Sequence, residues 1–547
     1  MQRSDCVVAR TDVADVLIVG GGTSGGVAAR HLAEAGFKVV VLEQGHWPNE
    51  SDFPGNKPEY ELLAAKQWSP NPNLRGKPED YPVNDSESDL PVIMYNAVGG
   101  TSVLFAACWT RALPSDFRVK TLDGVADDWP ISYEELLPFY EINDRDMGVS
   151  GLVGNPAYPP GAAPPLPPFP IHKTGRRMAE ALNRLGWHWW PGDNATPSMD
   201  YGHQKQCLRY GICRMGCPAG AKASTYITHF PLALNRGTQI ITGARVSQIT
   251  VDEKGRANGA TYFQNGVEHF QPAKMVIVGA NGIGTPRLLL MSASERFQNG
   301  LANSSGLVGK RLMLHPHGSS AGIFDDDLED WVGPAGEQLV SLQFYETDKS
   351  RGFVRGCKWI LMCTGGPQQM VERWDKGEGT RDEPFWGTEF TRKMQDSIGH
   401  MMEWQIINED LPEETNYVSL DPTLTDSDGL PAPKIHYRTS ENTRLMLDFH
   451  LQRSLESLRE AGAKKAWITR RRVSSGHNLG TCKMGNDPET SVVNRWGQAH
   501  DVPNLYLIDG SVFTTSTGVN PTATICALAK RTATYIADNA RQLEVAS

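Results

Sequence analysis

A glycine-rich turn between two short apolar runs constrains the fold of this chain more than any other feature. The turn, Gly20-Gly21-Gly22-Thr23-Ser24-Gly25, follows the apolar run 16–19 and precedes a stretch of helical spacing at 27–35. Gly36 then stops the helix, and 38–42 forms a second apolar run. Apolar run, turn, helix and apolar run in this order predict a βαβ unit of a parallel sheet.

The turn fits the pattern G-x-G-x-x-G, in which glycines let backbone N–H groups approach a pyrophosphate at a helix N-terminus. Glu43 ends the second apolar run, where a carboxylate accepts hydrogen bonds from ribose hydroxyls. This context predicts dinucleotide binding, with a plain glycine-rich turn as the alternative, and it does not separate NAD from FAD. The candidate nucleotide-binding residues are Gly20, Gly22, Thr23, Ser24, Gly25 and Glu43.

Composition argues against several other classes of protein. The chain has 547 residues, of which 39% are hydrophobic and 21% charged, so it can bury the cores of roughly two to four domains. A net charge of −10 argues against nucleic acid or an anionic membrane as the main partner. No run approaches the ~18 apolar residues of a membrane span, and the first apolar run ends in glycines rather than a cleavage site. We therefore expect a cytoplasmic protein without a membrane span.

Periodicity and turn residues predict further elements along the chain. A helix is expected at 132–144, where Ser132 and Glu135 form a capping box and Pro138 should kink or split the helix. The other expectations are a polar excursion at 46–92, an extended connection at 153–170, strands at 239–278 with hairpin turns at Asn258-Gly259 and Asn265-Gly266, a helix from Thr285 to Met291 with Pro286 in its first turn, strands and acidic loops at 321–440, a helix at 442–461, a strand at 504–508 and a helix at 521–540.

Three further segments form an ordered set. They are Asn96-Ala97-Val98-Gly99-Gly100-Thr101-Ser102, the segment 280–289, and the pair 509–511 with 518–522. Together they resemble the signatures of the glucose–methanol–choline (GMC) oxidoreductase family, which usually has Gly where this chain has Asn281. The resemblance runs from about residue 13 to 540, and residues 97–140 resemble the flavoprotein subunits of sugar and gluconate dehydrogenases especially. It implies FAD as the cofactor.

The resemblance also implies residues that contact the flavin nucleotide. Val246 is implied to contact adenine through its backbone, with a core valine as the alternative. Some relatives bind flavin covalently to a His at the position of Leu104, so non-covalent FAD is expected here. The implied cofactor-binding residues are Gly99, Gly100, Thr101, Ser102, Val246, Asp509, Gly510, Asn520, Pro521 and Thr522.

The candidate catalytic pair is His477 with Asn520. Alcohol oxidation needs a base for the hydroxyl proton, and the ordinary pKa of His, about 6.5, suits that task. Among fourteen histidines, His477 lies in a stretch that resembles the family's H-x-x-G-T, whose His is the catalytic base. Asn520 occupies the family's second catalytic position and can hydrogen-bond the substrate oxygen. His315 and His317 are interpreted as a packed pair in a loop rather than as residues that line the flavin region.

Nine cysteines occur, and three of them, Cys207, Cys213 and Cys217, are clustered as C-x5-C-x3-C. The odd total favours reduced thiols over a disulfide framework. One group of similar sugar dehydrogenases carries a three-cysteine iron–sulfur cluster at this kind of spacing. Other relatives have the loop G-C-P-x-G-A-K, here 216–222, without a metal. The sequence therefore leaves two interpretations open, an iron–sulfur site and no metal at all.

The expected fold is α/β, or α+β overall, with a doubly wound Rossmann-like part interleaved with an antiparallel-sheet part. The FAD-binding domain is assigned to 13–50, 90–150, 222–320 and 471–547. Excursions or linkers are assigned to 51–89 and 151–221, and a substrate-binding domain to 321–470. Monomer and homo-oligomer are both open.

The expected function is FAD-dependent oxidation of the CH–OH group of a small-molecule alcohol, with oxygen or another electron acceptor. The similarity to sugar dehydrogenases favours a sugar or glycoside, and Trp187, Trp189 and Trp190 either stack on its ring or pack in the core. The alternatives are an aromatic or aliphatic alcohol oxidase, a hydroxynitrile-type lyase that keeps FAD without redox turnover, and a flavoprotein that only binds or transfers electrons.

Overall fold

The computed structural model of the protein describes residues 8–375 and 386–545. Its strands are β1 (Val8–Ala9), β2 (Ala14–Val19), β3 (Val39–Glu43), β4 (Asn84–Ser88), β5 (Trp190–Pro191), β6 (Gln239–Thr242), β7 (Arg245–Val251), β8 (Ala257–Gln264), β9 (Val267–Val278), β10 (His317–Ile323), β11 (Leu339–Ser341), β12 (Cys357–Met362), β13 (Met401–Asn408), β14 (Tyr417–Thr425), β15 (Pro431–Tyr437), β16 (Lys465–Val473) and β17 (Leu505–Leu507).

Its helices are α1 (Thr23–Glu34), α2 (Tyr60–Ala65), α3 (Pro72–Arg75), α4 (Val119–Asp123), α5 (Tyr133–Met147), α6 (Lys173–Leu185), α7 (Thr225–Thr228), α8 (Phe230–Leu234), α9 (Asn281–Met291), α10 (Pro367–Asp375), α11 (Gly387–Ser397), α12 (Glu441–Glu460) and α13 (Thr522–Asp538). Short 3-10 helices lie at Glu50–Asp52, Pro54–Asn56, Gly100–Val103, Pro114–Arg118, Lys349–Arg351 and Gly510–Val512. None of the described helices combines the length and the apolarity that crossing a lipid bilayer requires.

The predicted βαβ unit is the centre of an eight-stranded sheet. Strands β6, β3, β2, β9 and β17 pair in parallel, while β7 and β8 extend the sheet as antiparallel neighbours. The apolar runs in β2 and β3 are buried, as expected for a parallel sheet covered on both faces. Helix α1 packs on α8 and α13. The α/β fold class is confirmed.

A second, antiparallel sheet has six strands in the order β16-β10-β13-β12-β11-β5. Helix α12 packs across β10, β13 and β16, and α6 packs against α12. The apolar residues of this unit form a core of their own, which includes Trp187, Trp359 and Trp404. A third sheet joins β14, β15 and β4. Strand β4 lies within the polar 46–92 segment and was not predicted, and neither were helices α10 and α11.

One predicted hairpin turn is confirmed and the other is wrong. Asn265-Gly266 connects β8 to β9, with both residues at positive φ as a two-residue hairpin requires. Asn258-Gly259 instead lies inside β8. The turn before β8 is made by Asp252, whose carboxylate accepts hydrogen bonds from the N–H groups of Lys254 and Arg256. The side chain of Asp252 supplies the turn that was assigned to the Asn-Gly pair.

Helix α9 begins at Asn281, four residues before the predicted start at Thr285. Asn281 has φ +66, and its side-chain oxygen accepts hydrogen bonds from the N–H groups of Ile283 and Gly284, two and three residues later. Pro286 therefore lies inside the helix and leaves the carbonyl of Gly282 without its helical donor. The hydroxyl of Thr481 donates to that carbonyl at 2.8 Å, so a distant loop compensates for the proline.

Helix α5 confirms most of the expectation for 132–144. The Ser132 hydroxyl accepts the N–H of Glu135 at 3.3 Å, as a helix cap does. The helix continues to Met147 as one element, so Pro138 does not split it. The Pro-rich segment 153–170 contains neither helix nor named strand, as expected.

Candidate active site

A cavity of about 620 Å³ opens where the carboxyl ends of the parallel strands face the antiparallel sheet. Val19 and Leu42 line it from the ends of β2 and β3, and Ile407 lines it from β13. Open α/β sheets bind ligands beyond the carboxyl ends of their strands, and small-molecule sites have volumes of about 300–1,000 Å³. Both the position and the size of the cavity are those of a cofactor site.

The glycine turn forms one wall of this cavity. Gly20 has φ +102, which favours glycine, and a Cβ on Gly25 would lie 2.1 Å from the carbonyl oxygen of Gly20. Gly22 differs, because a Cβ there would meet no protein atom closer than 3.9 Å and φ is −74. Gly20 and Gly25 are therefore required by the protein's own packing, whereas Gly22 keeps space open on the cavity side.

The N-terminus of α1 faces the cavity. Its cap, Gly22, provides no side-chain hydrogen bond, and the first turn contains no acidic residue. Thr23 and Ser24 follow and line the cavity. The first N–H groups of a helix lack partners within it, and the helix dipole attracts negative charge to this end. These features fit a pyrophosphate.

Glu43 lies beside the turn and is buried. Its two carboxylate oxygens accept the N–H groups of Gly21 at 2.7 Å and Gly45 at 2.8 Å. Burial raises the pKa of this carboxyl to about 7. Glu43 also lines the cavity, so its carboxylate is within reach of a ligand in the cavity.

The second glycine loop packs directly on the first. Gly99 has φ +97 and donates its N–H to the carbonyl oxygen of Gly21 at 2.7 Å. A Cβ on Gly100 would lie 2.9 Å from the Cα of Gly22. Ser102 donates its hydroxyl to the carbonyl of Gly99 at 2.6 Å. Two segments separated by about eighty residues therefore form a single continuous wall, and Gly100, Thr101 and Ser102 line the cavity.

Two side chains from a distant segment, Ser224 and Thr225, pack behind α1 and the second loop and support this wall. Thr225 donates its hydroxyl to the carbonyl of Gly22 at 3.2 Å, and Ser224 shares a 2.7 Å hydrogen bond with Ser102. Sequence reasoning missed both residues, although they follow the 216–222 loop that resembles the family. Val246 and Leu104, which the sequence did single out, line the cavity.

The segment around His477 is held between two other parts of the chain. Its neighbour Leu479 exchanges backbone hydrogen bonds with Met313, and Gly480 donates to the carbonyl of Gly510 at 3.0 Å. A Cβ on Gly510 would lie 2.8 Å from the carbonyl oxygen of Asn478, the residue after His477. This close packing fixes the backbone on which His477 sits.

His477 is half-buried and lines the cavity. Its Nδ1 lies 2.9 Å from Nδ1 of His315, and the two rings are tilted with centroids 4.9 Å apart. Burial and, secondarily, the positive charge of Lys358 lower the pKa of His477 to about 3. The imidazole is therefore neutral at physiological pH, with a free lone pair but a lower basicity than the ordinary His that the sequence predicted.

Asn520 and the start of α13 form the facing wall. Asn520, Pro521 and Thr522 all line the cavity, and the side-chain oxygen of Asn520 has no hydrogen-bond partner among the described residues. Asp509 and Gly510 line it as well. The carboxylate of Asp509 accepts the hydroxyl of Thr285 at 2.6 Å, and burial raises its pKa.

The sequence-derived candidates therefore divide into two groups. Gly25 and Gly99 support the cavity from behind, and the three cysteines do not line it. The candidates that line the cavity are Gly20, Gly22, Thr23, Ser24, Glu43, Gly100, Thr101, Ser102, Val246, His477, Asp509, Gly510, Asn520, Pro521 and Thr522.

The pair His315 and His317 is not simply a packed loop. His317 lines the cavity, and His315 contacts His477. Arg214 and Gln405 also line the cavity, and the Arg214 guanidinium donates to Gln405 at 2.9 Å. No local sequence pattern indicated the roles of these two residues, because they come from a loop and a strand far from the glycine turn.

The cysteine loop is anchored by a buried lysine, Lys222. Among residues 8–375 and 386–545, no group of three or more His, Cys, Asp or Glu side chains is placed to hold a metal ion. Cys207, Cys213 and Cys217 are free thiols, and Cys213 packs against Ala335 and Cys363. Lys222 is buried and donates to the carbonyls of Val103 at 2.7 Å and Phe105 at 2.9 Å. The iron–sulfur interpretation is therefore not supported.

The tryptophans at 187–190 lie away from the cavity lining. Trp187 packs edge-on against Phe344 and Trp359 in the core of the second sheet. Trp189 donates its indole N–H to Asn183, and Trp190 donates to the carbonyl of Leu152. Packing, rather than stacking on a substrate ring, is the role the structure gives them.

Comparisons with known proteins connect this geometry to a family. The sequence model described as GMC oxidoreductase matches residues 174–317 and, for its C-terminal part, residues 412–529. A model described as FAD dependent oxidoreductase matches residues 15–53, which include the glycine turn. The 2-methyl-1,2-propanediol dehydrogenase of Mycolicibacterium austroafricanum is 41% identical over 533 residues, covering 96% of this chain and 95% of that protein. This chain belongs to the GMC oxidoreductase family.

Other members of the family match over the same length. The fructose dehydrogenase large subunit of Gluconobacter japonicus is 28% identical and covers 97% of this chain and 98% of its own. Among solved structures, the pyridoxine 4-oxidase from Mesorbium loti superposes with a TM-score of 0.65 at 18% identity, covering 95% of this GMC oxidoreductase and 99% of that chain. That likeness carries the fold alone.

FAD is the cofactor of this GMC oxidoreductase, and the cavity fits it. The uncapped N-terminus of α1 offers donors for the pyrophosphate, and Glu43 offers a carboxylate for ribose hydroxyls. The open side of Gly22 leaves the space that a close backbone approach requires.

Proposed function

We propose that this GMC oxidoreductase oxidises the CH–OH group of a small alcohol, with His477 as the base and Asn520 as its partner. The observation that carries the proposal is that the neutral imidazole of His477 lines the same cavity as the glycine turn. FAD, when bound, supplies the acceptor for the hydride that leaves the carbinol carbon.

The residues of the chain handle the proton and the oxygen of the substrate. His477 takes the hydroxyl proton through Nε2, since its Nδ1 is engaged with His315. Asn520 cannot act as a base at neutral pH, but its amide N–H group can donate to the substrate oxygen. The two side chains act together, one removing the proton and the other fixing the oxygen from which it leaves.

The substrate we propose has more than one hydroxyl group. His317 lines the cavity with an Nδ1 that has no partner among the described residues, and Gln405 and Arg214 add polar groups nearby. These side chains suit a sugar or glycoside, the class to which the substrate named for the fructose dehydrogenase relative belongs. A short vicinal diol is the second candidate, because the 41% identical relative is named for 2-methyl-1,2-propanediol.

We further propose that FAD is bound without a covalent link and that residues 321–470 contribute Gln405 and Ile407 to the substrate side. Leu104 lines the cavity and has no atom that could form a bond to flavin. Acid precipitation of the purified protein should leave all the flavin in the supernatant. Flavin retained in the pellet would contradict a non-covalent site.

The test of the function is an absorption spectrum of the purified protein before and after anaerobic addition of a substrate panel. The panel contains fructose, gluconate, paromamine, a simple glycoside, 2-methyl-1,2-propanediol and propan-2-ol. Bleaching of the oxidised flavin bands by one compound identifies the reaction and its substrate class. Bleaching by propan-2-ol as fast as by every polyol would contradict the proposed need for several hydroxyls.

The same panel separates the rival functions. A hydroxynitrile-type lyase would release cyanide from mandelonitrile with no bleaching of the flavin by any alcohol. A flavoprotein that only binds or transfers electrons would retain its flavin bands with every compound. Once a substrate is known, oxygen consumption measured against reduction of an artificial dye distinguishes an oxidase from a dehydrogenase.

A further inference from the structure

The hydrogen bond between His315 and His477 restricts where His477 carries its proton. The two Nδ1 atoms are 2.9 Å apart, so one nitrogen must donate and the other must accept. Both rings are neutral, because burial lowers the pKa of each His below its ordinary value. A neutral imidazole has one N–H, and the direction of this bond therefore decides which tautomer His477 adopts.

Only one of the two directions leaves a base at the cavity. If His315 donates, Nδ1 of His477 is an acceptor and its proton sits on Nε2, which then has no lone pair for a substrate hydroxyl. If His477 donates, its Nε2 keeps a free lone pair. No described group hydrogen-bonds Nε2 of His477, so this nitrogen is available to a ligand in the cavity.

His315 has a strained backbone conformation that several hydrogen bonds hold in place. Its backbone has φ +51 immediately before Pro316, a combination that side chains rarely adopt. The N–H groups of Leu314 and His315 both donate to one carboxylate oxygen of Asp410, at 3.0 and 3.2 Å. The hydroxyl of Tyr437 donates to the same oxygen at 2.8 Å. A strained residue that is fixed this firmly near a candidate base points to a functional constraint.

Burial keeps both rings neutral, and the charged groups around the pair do not oppose it. Lys358 is buried, and its positive charge lowers the pKa of both rings. It is paired with Glu337 and donates to the Thr110 hydroxyl at 2.6 Å. His317 also lowers the pKa of His315, and burial keeps His317 itself neutral. Asp410 reaches His315 through the backbone N–H rather than the ring. No described carboxylate hydrogen-bonds either ring, so the base cannot be oriented by an acidic partner here.

We propose that His315 is a positioning residue that accepts the Nδ1–H of His477 and so keeps the Nε2 lone pair of His477 directed at the substrate hydroxyl. This inference rests on the proposed function of His477. In the arrangement, His315 carries its own proton on Nε2, which is buried and has no partner among the described residues. A buried N–H without an acceptor costs free energy, so we expect this tautomer of His315 only where the base, His477, requires it.

Two substitutions of His315 test whether its side chain acts as a hydrogen-bond acceptor or only fills space. His315→Leu removes the acceptor, so the His477 proton moves to Nε2, where solvent or a ligand in the cavity can accept it. His315→Asn places a side-chain oxygen near the position of Nδ1, and Asn tolerates positive φ better than Leu. The rate of anaerobic flavin reduction should fall by about 10- to 100-fold in His315→Leu and recover to within a few-fold of wild type in His315→Asn. If the leucine variant loses FAD, His315→Met replaces it.

A double-mutant cycle with His477→Ala distinguishes positioning from a structural role. If His315 acts through His477, adding His315→Leu to His477→Ala should change the reduction rate by less than about twofold. A full additive loss in the double variant would overturn the proposal, since packing defects persist when His477 is absent. A loss of less than about twofold in His477→Ala itself would overturn the proposed function instead, and that outcome is separate.

Binding without turnover gives a second readout. tert-Butanol has a hydroxyl to donate but no carbinol hydrogen to lose, whereas acetone can only accept. Perturbation of the flavin absorbance reports the dissociation constant of each. His315→Leu should weaken tert-butanol binding by about three- to tenfold while leaving acetone binding equal or tighter, and His315→Asn should restore the wild-type pattern. Equal weakening of both ligands would contradict a change of tautomer.

Discussion

The two ends of the cavity are built in different ways. At the nucleotide end, the glycine turn and Glu43 lie within two dozen residues of one another and are fixed by backbone geometry. At the catalytic end, His315, His477 and Asn520 come from three distant segments; His315 contacts His477, and His477 lines the same cavity as Asn520. The first end depends on the absence of side chains at its glycines and on one buried carboxylate, whereas the second depends on the position and protonation of several side chains.

This difference predicts different failures. A substitution of a glycine at the nucleotide end should act by occupying space, so that the cofactor is lost while the protein stays folded. A substitution at the catalytic end should leave the cofactor bound and change the rate of the chemical step. The predictions below test that division, in order of decreasing expected effect.

Gly22→Val should produce apoprotein. The backbone at Gly22 suits any residue, and a Cβ there meets no protein atom closer than 3.9 Å, so the variant should fold with a melting temperature close to that of wild-type apoprotein. The added methyl groups would fill the space that the pyrophosphate needs. Flavin absorbance per protein after purification is the measurement, with Gly22→Ala as a graded control. A yellow, active valine variant would remove the nucleotide site from this turn.

His477→Ala should retain FAD and lose roughly 10²- to 10⁴-fold in the rate of flavin reduction, the range expected for loss of a general base. Asn520→Ala is the matched variant at the same end, and a smaller loss is expected because Asn520 orients the oxygen without taking the proton. Stopped-flow reduction under anaerobic conditions measures both. Near-normal reduction in His477→Ala would mean that the base lies elsewhere in the cavity.

The same contrast explains what the sequence could predict. The βαβ unit and the cavity-lining role of Gly22 and Glu43 follow from local patterns, because strand, turn and helix are adjacent in the chain. His477 and Asn520 came from a family resemblance, since their spacing of 43 residues indicates no contact. The contact of His315 with His477 was missed because it depends on a positive φ that Asp410 stabilises from another strand's end.

Some local patterns misled because tertiary contacts outweighed them. Asn258-Gly259 is a strong hairpin signal, yet it is part of β8, since the side chain of Asp252 already makes the turn. Pro286 suggested the start of a helix, but Thr481 replaces the hydrogen bond that the proline removes, and α9 begins earlier. Both errors arise from side-chain hydrogen bonds, one within the turn and one across about two hundred residues.

Gly282→Ala tests whether the catalytic end is fixed by backbone packing. A Cβ there would lie 2.3 Å from the carbonyl oxygen of Asn478, so the segment that bears His477 must move. We expect FAD to be retained and flavin reduction to fall by about 10-fold, because small displacements of a catalytic group are costly. Gly284→Ala, whose Cβ would meet the Tyr81 hydroxyl at 3.1 Å and the Ala280 Cβ at 3.4 Å but no backbone atom of the His477 segment, is the control on the same helix. Equal effects of the two would show that the loss comes from α9 and not from His477.

Glu43→Gln should remove a pH dependence of cofactor affinity that belongs to the nucleotide end alone. Without FAD, burial holds the pKa of Glu43 at about 7, so the carboxyl is mostly protonated at pH 5.5 and ionised at pH 7.5. Ribose hydroxyls donate to the ionised form and lower its pKa in the complex, so FAD binding releases a proton below pH 7. Wild-type apoprotein should therefore bind FAD about tenfold more weakly at pH 5.5 than at pH 7.5.

In Glu43→Gln, which has no titrating group at this position, the two affinities should agree within about twofold, although both should be weaker because one buried N–H loses its acceptor. Fluorescence titration of apoprotein with FAD at the two pH values measures this ratio. If the glutamine variant kept the wild-type ratio, the titrating group would be another carboxyl that lines the cavity, and Asp509, whose pKa is also raised by burial, would be the one to substitute next. The pH dependence would then belong to the far side of the cavity. The nucleotide end would depend on space alone, and the division between it and the catalytic end would be sharper than proposed.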